Sequence, residues 1–297
     1  MNKKIDLHIH TTMSDGALTP KEVIDEAEKN GVSVIAIADH DTIEAYNDEL
    51  YLYAKEKNIQ LINAVEISTK TKKAGIHVLG YNFDLTDKNF QEKLYKLRNA
   101  RHDYLHNVAK KLNEIGYFLN VKELDKIDAV TKAHISLDVI SSEKNRKSLI
   151  ENFGHIPNKG EFIETVMNEN CPAYVKKETV TPKEAADIIR SANGKVVLAH
   201  PVAYEHEDNL TEEDILQIVK DMKPDGLEAN YIYIDRNNQI FDETSKWNNF
   251  AKENNLFVTI GSDFHNKDGI RPEIGFTNIQ FSLDNKTVDE ILRNLYT

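Results

Sequence analysis

The run Ile5-Asp6-Leu7-His8-Ile9-His10 ends the first apolar stretch of the chain with two histidines spaced two residues apart, and Asp15 follows closely. The run Ile260-Gly261-Ser262-Asp263-Phe264-His265 has a similar arrangement near the other end. Residues two apart in a β-strand point to the same face and lie ~7 Å apart. Histidine and carboxylate side chains are the usual protein ligands of zinc and other divalent cations. The two runs therefore predict strands whose ends hold a metal.

Strand patterns alternate with helix patterns along most of the chain. We expect strands at residues 5–10, 32–38, 61–67, 75–81, 195–199, 226–230 and 256–261, with a short candidate at 277–281, and helices at 45–57, 209–222 and 236–254. Two further helices are expected to begin at Thr19-Pro20-Lys21-Glu22 and Thr181-Pro182-Lys183-Glu184, which have the capping threonine, first-turn proline and reciprocal glutamate of helix starts. About seven strand-then-helix units predict an α/β fold with a parallel sheet.

The polar residues of interest fall at or just after the C-terminal ends of the predicted strands, where closed β/α barrels carry their active sites. A doubly wound open sheet is the competing architecture. We favour the barrel because the candidate ligands come from at least six strand ends and must converge. The alternation stops at residues 86–178, which contain a long helical stretch and no clear strand. We therefore predict a barrel of residues 1–85 and 179–297, interrupted by a helical cap subdomain at 86–178.

The composition of this 297-residue chain excludes several classes of function. A net charge of −12 disfavours capture of long nucleic acid, but a short nucleotide remains compatible because bound divalent cations make a pocket locally positive. Cys171, the single cysteine, excludes a disulfide within the chain and fits a reducing compartment. No secretory signal pattern or membrane-spanning apolar run is present. We expect a soluble cytoplasmic protein without a membrane partner, while its oligomeric state stays open.

Nine side chains at predicted strand ends make up the candidate metal site: His8, His10, Asp15, His40, Glu66, His77, His200, Asp263 and His265. Each alone has an ordinary explanation, since a lone histidine usually packs as a hydrogen-bonded core residue and Asp15-Gly16 is typical of a turn. Six of the 11 histidines, however, lie at strand ends beside three acids, and this joint pattern indicates a metal site. His102 and His106, one helical turn apart on a charged helix, are interpreted as surface residues.

These motifs resemble the polymerase-and-histidinol-phosphatase (PHP) family over nearly the whole chain. The matching stretches, in order, are His8-x-His10, Asp15, Asp39-His40-Asp41-Thr42, Glu66, His77-Val78-Leu79-Gly80-Tyr81, Ala199-His200-Pro201 and Ser262-Asp263-x-His265. The resemblance implies a distorted, TIM-like (β/α)7 barrel and three divalent metal ions, commonly manganese, iron or zinc. It implies one metal on His8, His10, Glu66 and Asp263, a second on Glu66, His77 and His200, and a third on Asp15, His40 and His265.

The insertion between His77 and His200 resembles that of small PHP phosphoesterases acting on nucleoside 3′,5′-bisphosphates and on the 5′ ends of short RNA. There it caps the barrel mouth and binds substrate phosphates. By that resemblance Lys132-Ala133-His134 replaces an Arg-x-His motif, and the lysine lacks the two-point grip of guanidinium. The candidate phosphate-binding residues are Lys132, His134, Tyr174, Lys176, Lys177 and Arg271. Glu228 is read either as an acceptor from a sugar hydroxyl or as an ordinary acid of the barrel rim.

The expected chemistry is hydrolysis of phosphate monoesters of nucleotides, including stepwise 5′–3′ trimming of short RNA. Clustered divalent ions would neutralise the phosphate oxygens and supply a metal-bridging hydroxide, with Asp263 and His265 at the reacting centre. A metal-bound water or a histidine such as His134 would protonate the leaving alkoxide. The alternatives are a histidinol-phosphate phosphatase and a metal-binding regulatory module without turnover. Without a P-loop or dinucleotide fingerprint, an ATP- or NAD-dependent reaction is disfavoured.

Overall fold

The computed structural model describes residues 3–125, 130–176, 179–235, 237–267, 269–270, 272–276 and 283–296. The strands are Ile5–Ile9 (β1), Val34–Ile37 (β2), Gln60–Lys70 (β3), Gly75–Tyr81 (β4), Lys195–Leu198 (β5), Gly226–Asn230 (β6), Tyr233–Ile234 (β7), Ile240–Phe241 (β8) and Phe257–Ile260 (β9). The helices are Pro20–Lys29 (α1), Asp48–Glu56 (α2), Lys88–Glu114 (α3), Val121–Leu124 (α4), Lys132–Ser141 (α5), Arg146–Phe153 (α6), Lys159–Phe162 (α7), Pro182–Ser191 (α8), Pro201–Glu207 (α9), Glu212–Met222 (α10), Thr244–Glu253 (α11) and Asn285–Tyr296 (α12).

Seven strands form one sheet in the order β1-β2-β3-β4-β5-β6-β9. The backbone N–H of His10 donates to the carbonyl of Phe264 at 2.9 Å, so the segment after β9 meets the end of β1 and the sheet nearly closes into a barrel. The predicted α/β barrel is confirmed. The expected parallel sheet is wrong at β4, which runs antiparallel to β3 and β5. Its connection to β3 spans only residues 71–74, too short for the crossover that a parallel pair needs.

The two faces of the sheet carry separate apolar clusters. Ile62 and Ala64 share a face with Glu66, and Leu79 shares one with His77, because side chains alternate along a strand. These apolar residues belong to a buried cluster that also takes in Leu292 and other side chains of α12. Ile35 and Ile37 of β2 belong to a second buried cluster, on the other face of the sheet, and pack with α1 and α2. Glu66 and His77 therefore continue the core-facing rows of β3 and β4.

Two helix starts follow the predicted capping chemistry. Thr19 and Thr181 each accept from the backbone N–H three residues on, while Glu22 and Glu184 reach back to the capping residue. This reciprocal pairing satisfies N–H groups that a helix leaves without partners at its beginning. It fixes where α1 and α8 begin after their preceding segments.

By compactness the chain divides into two units, Met1–Tyr95 with Val180–Thr297, and Lys96–Thr179. The second unit has its own apolar core, which includes Val108, Leu149 and Phe162. Its described residues contain helices and no strand. Across the described part of the chain, no helix combines the length and apolar character required to cross a bilayer.

The helix predicted at residues 236–254 begins too early. Residues 233–241 instead contain the hairpin of β7 and β8, and α11 starts only at Thr244. The sequence Tyr231-Ile232-Tyr233-Ile234 consists of aromatic and β-branched residues, which favour strands. The turn places Asn238 in the left-handed region at φ 61°, which a helix does not allow. The structure also adds α9, which was not expected, and the candidate strand at 277–281 lies outside the described residues.

Candidate metal centre

Glu66 lies at the middle of the candidate site, buried on β3. Its Oε2 atom is 3.4 Å from His8 Nε2, 3.2 Å from His10 Nε2 and 3.0 Å from His40 Nδ1. Its Oε1 atom is 2.9 Å from His77 Nδ1 and 3.1 Å from His200 Nε2. One carboxylate thus faces five imidazoles, with its two oxygens directed at different sets. This is the arrangement required of a group that bridges two cations.

The remaining predicted ligands complete the cluster. Asp263 Oδ1 lies 3.4 Å from His8 Nε2 and 3.1 Å from His10 Nε2. Asp15 Oδ2 lies 3.6 Å from His40 Nε2 and 3.4 Å from His265 Nε2. Donor atoms within 4.8 Å of one another form three groups here: His8, His10, Glu66 and Asp263; His10, Asp15, His40 and His265; and His40, Glu66 and His77. These groups hold eight of the nine predicted side chains, and the ninth, His200, joins them through Glu66 Oε1 at 3.1 Å.

His77 reaches this cluster from the antiparallel strand β4, and not from the C-terminal end of a parallel strand as expected. It is the third residue of β4 and pairs in register with Ser68 of β3. Because β4 runs antiparallel, its N-terminal part lies at the sheet edge where β3 ends. The direction of β4 is thus what places this histidine among the other ligands.

Several atoms that could bind a metal lie close together in the cluster, and two of them have no hydrogen-bond partner. Glu66 Oε2 and His200 Nδ1 are buried and have no hydrogen-bond partner, and such atoms are rare in folded proteins because they are costly. The ring nitrogens His8 Nε2 and His10 Nε2 approach to 3.1 Å, so at most one of them can donate to the other. Nitrogen lone pairs and carboxylate oxygens that converge in this way suit a shared divalent cation. The residues present therefore fit a metal centre.

The pKa values of the cluster indicate that its carboxylates need neighbouring positive charge. Burial alone would lower the pKa of His10, but the neighbouring carboxylates of Asp263 and Glu66 raise it to about 10. Burial would raise the pKa of Glu66, yet the imidazoles of His77, His40 and His8 hold that pKa well below its ordinary value. Protons on His8 and His10, whose pKa values are raised, balance the acids when no cation does so. A bound cation would take over this role and displace those protons.

Glu228 supports the cluster from beneath, a role the sequence reading missed. It is fully buried on β6, with its oxygens 3.0 and 3.1 Å from His8 Nδ1, and it accepts the backbone N–H of His200 at 3.0 Å. It is therefore neither a rim acid nor a sugar-binding group. By accepting a hydrogen bond from the Nδ1–H of His8, it leaves Nε2 of that ring directed at the cluster, as the partners of metal-binding histidines do. A strand-end acid with no other assigned role was the only signal in the sequence.

Two other residues fix the ligands in place. Tyr231 donates its hydroxyl to Asp263 Oδ2 at 3.2 Å. Gly261 lies so close to His8 and Glu228 that an added Cβ would come within 2.3 Å of both side chains. Only glycine therefore allows β9 to pass this pair.

The backbone adopts rare conformations at two candidate ligands. His200 has φ 21° and Asp263 has φ 53°, both in the left-handed region that residues with a Cβ seldom occupy. Such conformations cost free energy, and they persist where the surrounding structure holds them for function. Their occurrence at strand ends β5 and β9 is consistent with side chains aimed at a shared target.

The residues predicted to bind substrate phosphate have separate outcomes. In the second unit, Lys132 donates to Asn168 Oδ1 at 2.8 Å and His134 caps its own helix α5 by accepting from the Thr131 N–H at 3.3 Å. Tyr174 accepts from Lys111 through its backbone carbonyl, and Lys176 is exposed. Lys177 and Arg271 lie outside the described residues. The phosphate-binding role of all six stays a prediction.

Three of the remaining histidines pair with other acids. His102 and His106 are at the surface of α3, as interpreted from the sequence, and both face Asp125, at 3.0 and 3.2 Å. His206, to which no role was assigned, pairs with Glu243 at 2.8 Å and stacks on the hairpin of β7 and β8.

Comparisons with known proteins agree with this geometry. The PHP domain model matches residues 6–194. A 5′-3′ exoribonuclease of Haemophilus influenzae is 33% identical over 271 residues, covering 89% of this chain and 91% of that protein. A 3′,5′-nucleoside bisphosphate phosphatase of Chromobacterium violaceum is 26% identical, covering 88% and 87%. The solved structure of an amidohydrolase from C. violaceum shares the fold with a TM-score of 0.67, at 22% identity over 98% of this chain and 96% of that one. The chain therefore belongs to the PHP domain family, as a metal-dependent phosphoesterase.

Proposed function

We propose that this protein hydrolyses phosphate monoesters of nucleotides, with nucleoside 3′,5′-bisphosphates as substrates and with 5′–3′ trimming of short RNA as a further activity. We also propose that it does so with three divalent cations, manganese, iron or zinc. The observation that carries the proposal is the convergence of nine histidine and carboxylate side chains in one cluster, with Glu66 at its middle. The names of the Haemophilus and Chromobacterium relatives support the nucleotide substrate.

The cations, when bound, supply positive charge to the phosphate oxygens and make water acidic enough to attack at neutral pH. The chain contributes the frame that holds them. Glu66 is proposed to bridge two cations, since its oxygens face separate sets of imidazoles. Asp263 and His265 are proposed to lie beside the reacting phosphate, because both line the cavity over the cluster.

The ring of His265 has a defined proton position. Its Nδ1 lies 2.8 Å from the backbone carbonyl of Asp263, which can only accept, so Nδ1 carries the proton and donates it. Its Nε2 lies 3.4 Å from Asp15 Oδ2, so these two atoms would hold a cation together. His134 is proposed as a proton donor to the leaving alkoxide on the resemblance of its motif alone.

A phosphate-release assay tests the proposal. Purified protein with Mn²⁺ is incubated with adenosine 3′,5′-bisphosphate, and the initial rate is compared with that of Asp263→Ala. Asp187→Ala, which removes an exposed carboxylate of α8, is the matched control and should retain the full rate. The proposal fails if the unmodified protein releases phosphate no faster than Asp263→Ala.

The competing phosphatase activity is distinguished by substrate. Histidinol phosphate offered under the same conditions should give a much lower kcat/KM than the bisphosphate. The reverse order would transfer the proposed function to histidinol phosphate without changing the metal centre. Elemental analysis of the same preparation counts the bound cations and tests the proposed number of three.

A further inference from the structure

A cavity of about 570 Å³ opens over the candidate ligands and continues along residues that the metal centre does not use. One end is lined by ligands such as Glu66, His77 and Asp263. Another wall is formed by residues 231–235 and by Asn238, in and next to the hairpin of β7 and β8. Pockets of this size enclose small organic ligands. The cavity therefore has room for more of a substrate than its reacting phosphate.

The hairpin wall presents aromatic and aliphatic surface. Tyr233 and Ile234 are half-buried and line the cavity, as do Ile270 and Pro272 from the segment after β9. The Tyr233 ring stacks at 6.1 Å on the ring of Phe241, which supports its orientation. Flat aromatic side chains bind nucleobases by stacking, and they do so with little dependence on which base is present. This wall thus suits a planar, largely apolar group.

The same elements position the metal ligands and the wall. Tyr231, just before β7, donates its hydroxyl to Asp263 at 3.2 Å. The helix α9 begins directly after His200 and ends with His206, whose ring stacks on Phe241 at 3.8 Å. Two contacts therefore connect the hairpin to elements that carry metal ligands: the Tyr231 hydrogen bond and the His206 ring. Packing thus fixes the distance between the hairpin and the metal centre.

We propose that the wall formed by Tyr233, Ile234 and Ile270 binds the nucleobase of the substrate, and that Tyr233 determines the preference for nucleotides over other phosphate esters. This inference rests on the proposed function in taking the substrate to be a nucleotide. It assigns the hairpin a role that the metal centre does not require. A phosphate ester without a base would bind the metal centre but would make no contact with this wall.

The experiment compares two ligands that differ only in the base: adenosine 3′,5′-bisphosphate and its abasic analogue, 1-deoxyribose 3,5-bisphosphate, which keeps the 2-hydroxyl. The unmodified protein with Mn²⁺ should favour the adenosine compound at least about fivefold in kcat/KM, since base stacking is worth that factor or more. Tyr233→Ala should remove most of this preference by raising KM for the adenosine compound only. Tyr233→Phe should restore it. Ile240→Ala changes an exposed residue of the same hairpin outside the cavity lining and should leave the preference intact.

Equal use of the two compounds by the unmodified protein overturns the inference. So does an equal loss on both compounds in Tyr233→Ala, because that pattern means a structural role. If the unmodified protein turns over neither compound, the proposed function fails. The two ligands are then compared by calorimetry, which needs no turnover. Tighter binding of the adenosine compound, lost in Tyr233→Ala, would still support the nucleobase wall, and equal binding would overturn it.

Discussion

Replacing Glu228 with glutamine should weaken metal binding although Glu228 itself touches no cation in the proposed site. Its carboxylate accepts from His8 Nδ1 at 3.0 Å and from the backbone N–H of His200 at 3.0 Å, with no access to water. Glutamine keeps the size of the side chain but has one accepting oxygen. Its NH₂ group can only donate, so one of the two donors would face another donor.

The expected magnitude follows from these two contacts. Hydrogen bonds to a charged group contribute about 1.5–3 kcal/mol, and loss of a carboxylate partner of a metal-binding histidine costs about 10–100-fold in affinity or activity. That factor corresponds to about 1.4–2.8 kcal/mol, the same range as one such bond. We therefore expect a 10–100-fold weaker cation affinity in Glu228→Gln, with a similar fall in rate at limiting metal.

A metal titration measures the effect. The Mn²⁺ concentration for half-maximal phosphate release should rise 10–100-fold in Glu228→Gln, while the maximal rate should largely recover at saturating Mn²⁺. Glu290→Gln, an exposed position on α12, is the control and should behave as the unmodified protein. Circular dichroism establishes that the variant is folded. A half-maximal concentration within twofold of the unmodified protein would refute the reasoning that Glu228 orients His8.

Two further predictions concern stability. The pKa of His10 is raised to about 10 without a cation, compared with about 6.5 unfolded. Its stabilising contribution is therefore fully present below pH 6.5 and is lost as the pH rises through about 10. Chelator-treated protein should show a falling Tm over that range, and a Tm independent of pH would contradict this. Trp247→Ala should lower the free energy of unfolding by about 3–5 kcal/mol in urea titrations, since this side chain is buried in α11. A loss below 1 kcal/mol would show that the site is not tightly packed.

The sequence was sufficient to predict the barrel and the residues that converge on its metal centre. Side chains alternate along a strand, so the sequence alone places His8 and His10 on one face. The helix starts at Thr19 and Thr181 could also be predicted, because capping depends only on residues within one helical turn. The direction of β4 was also within reach, because the short link at residues 71–74 cannot hold a crossover helix.

Other features depend on contacts between distant parts of the chain. Glu228 and His8 are 220 residues apart, and nothing in the sequence near either residue indicates their pairing. The hairpin of β7 and β8 was hidden for a different reason. It begins two residues after β6 ends, and the helix α11 follows it. The predicted helix at 236–254 was therefore extended too far toward the N-terminus and included the second strand of the hairpin.

Glu66 shows how the fold and the chemistry depend on each other. A buried carboxylate facing five imidazoles would be costly unless positive charge accompanied it. Protons on His8 and His10 supply that charge in the free protein, as their raised pKa values show. A divalent cation must displace these protons in order to bind. Rising pH therefore weakens the free protein and strengthens its affinity for metal at the same time. The stabilisation produced by added cation should grow with pH, and calorimetry in buffers of different ionisation enthalpy should detect protons released on binding.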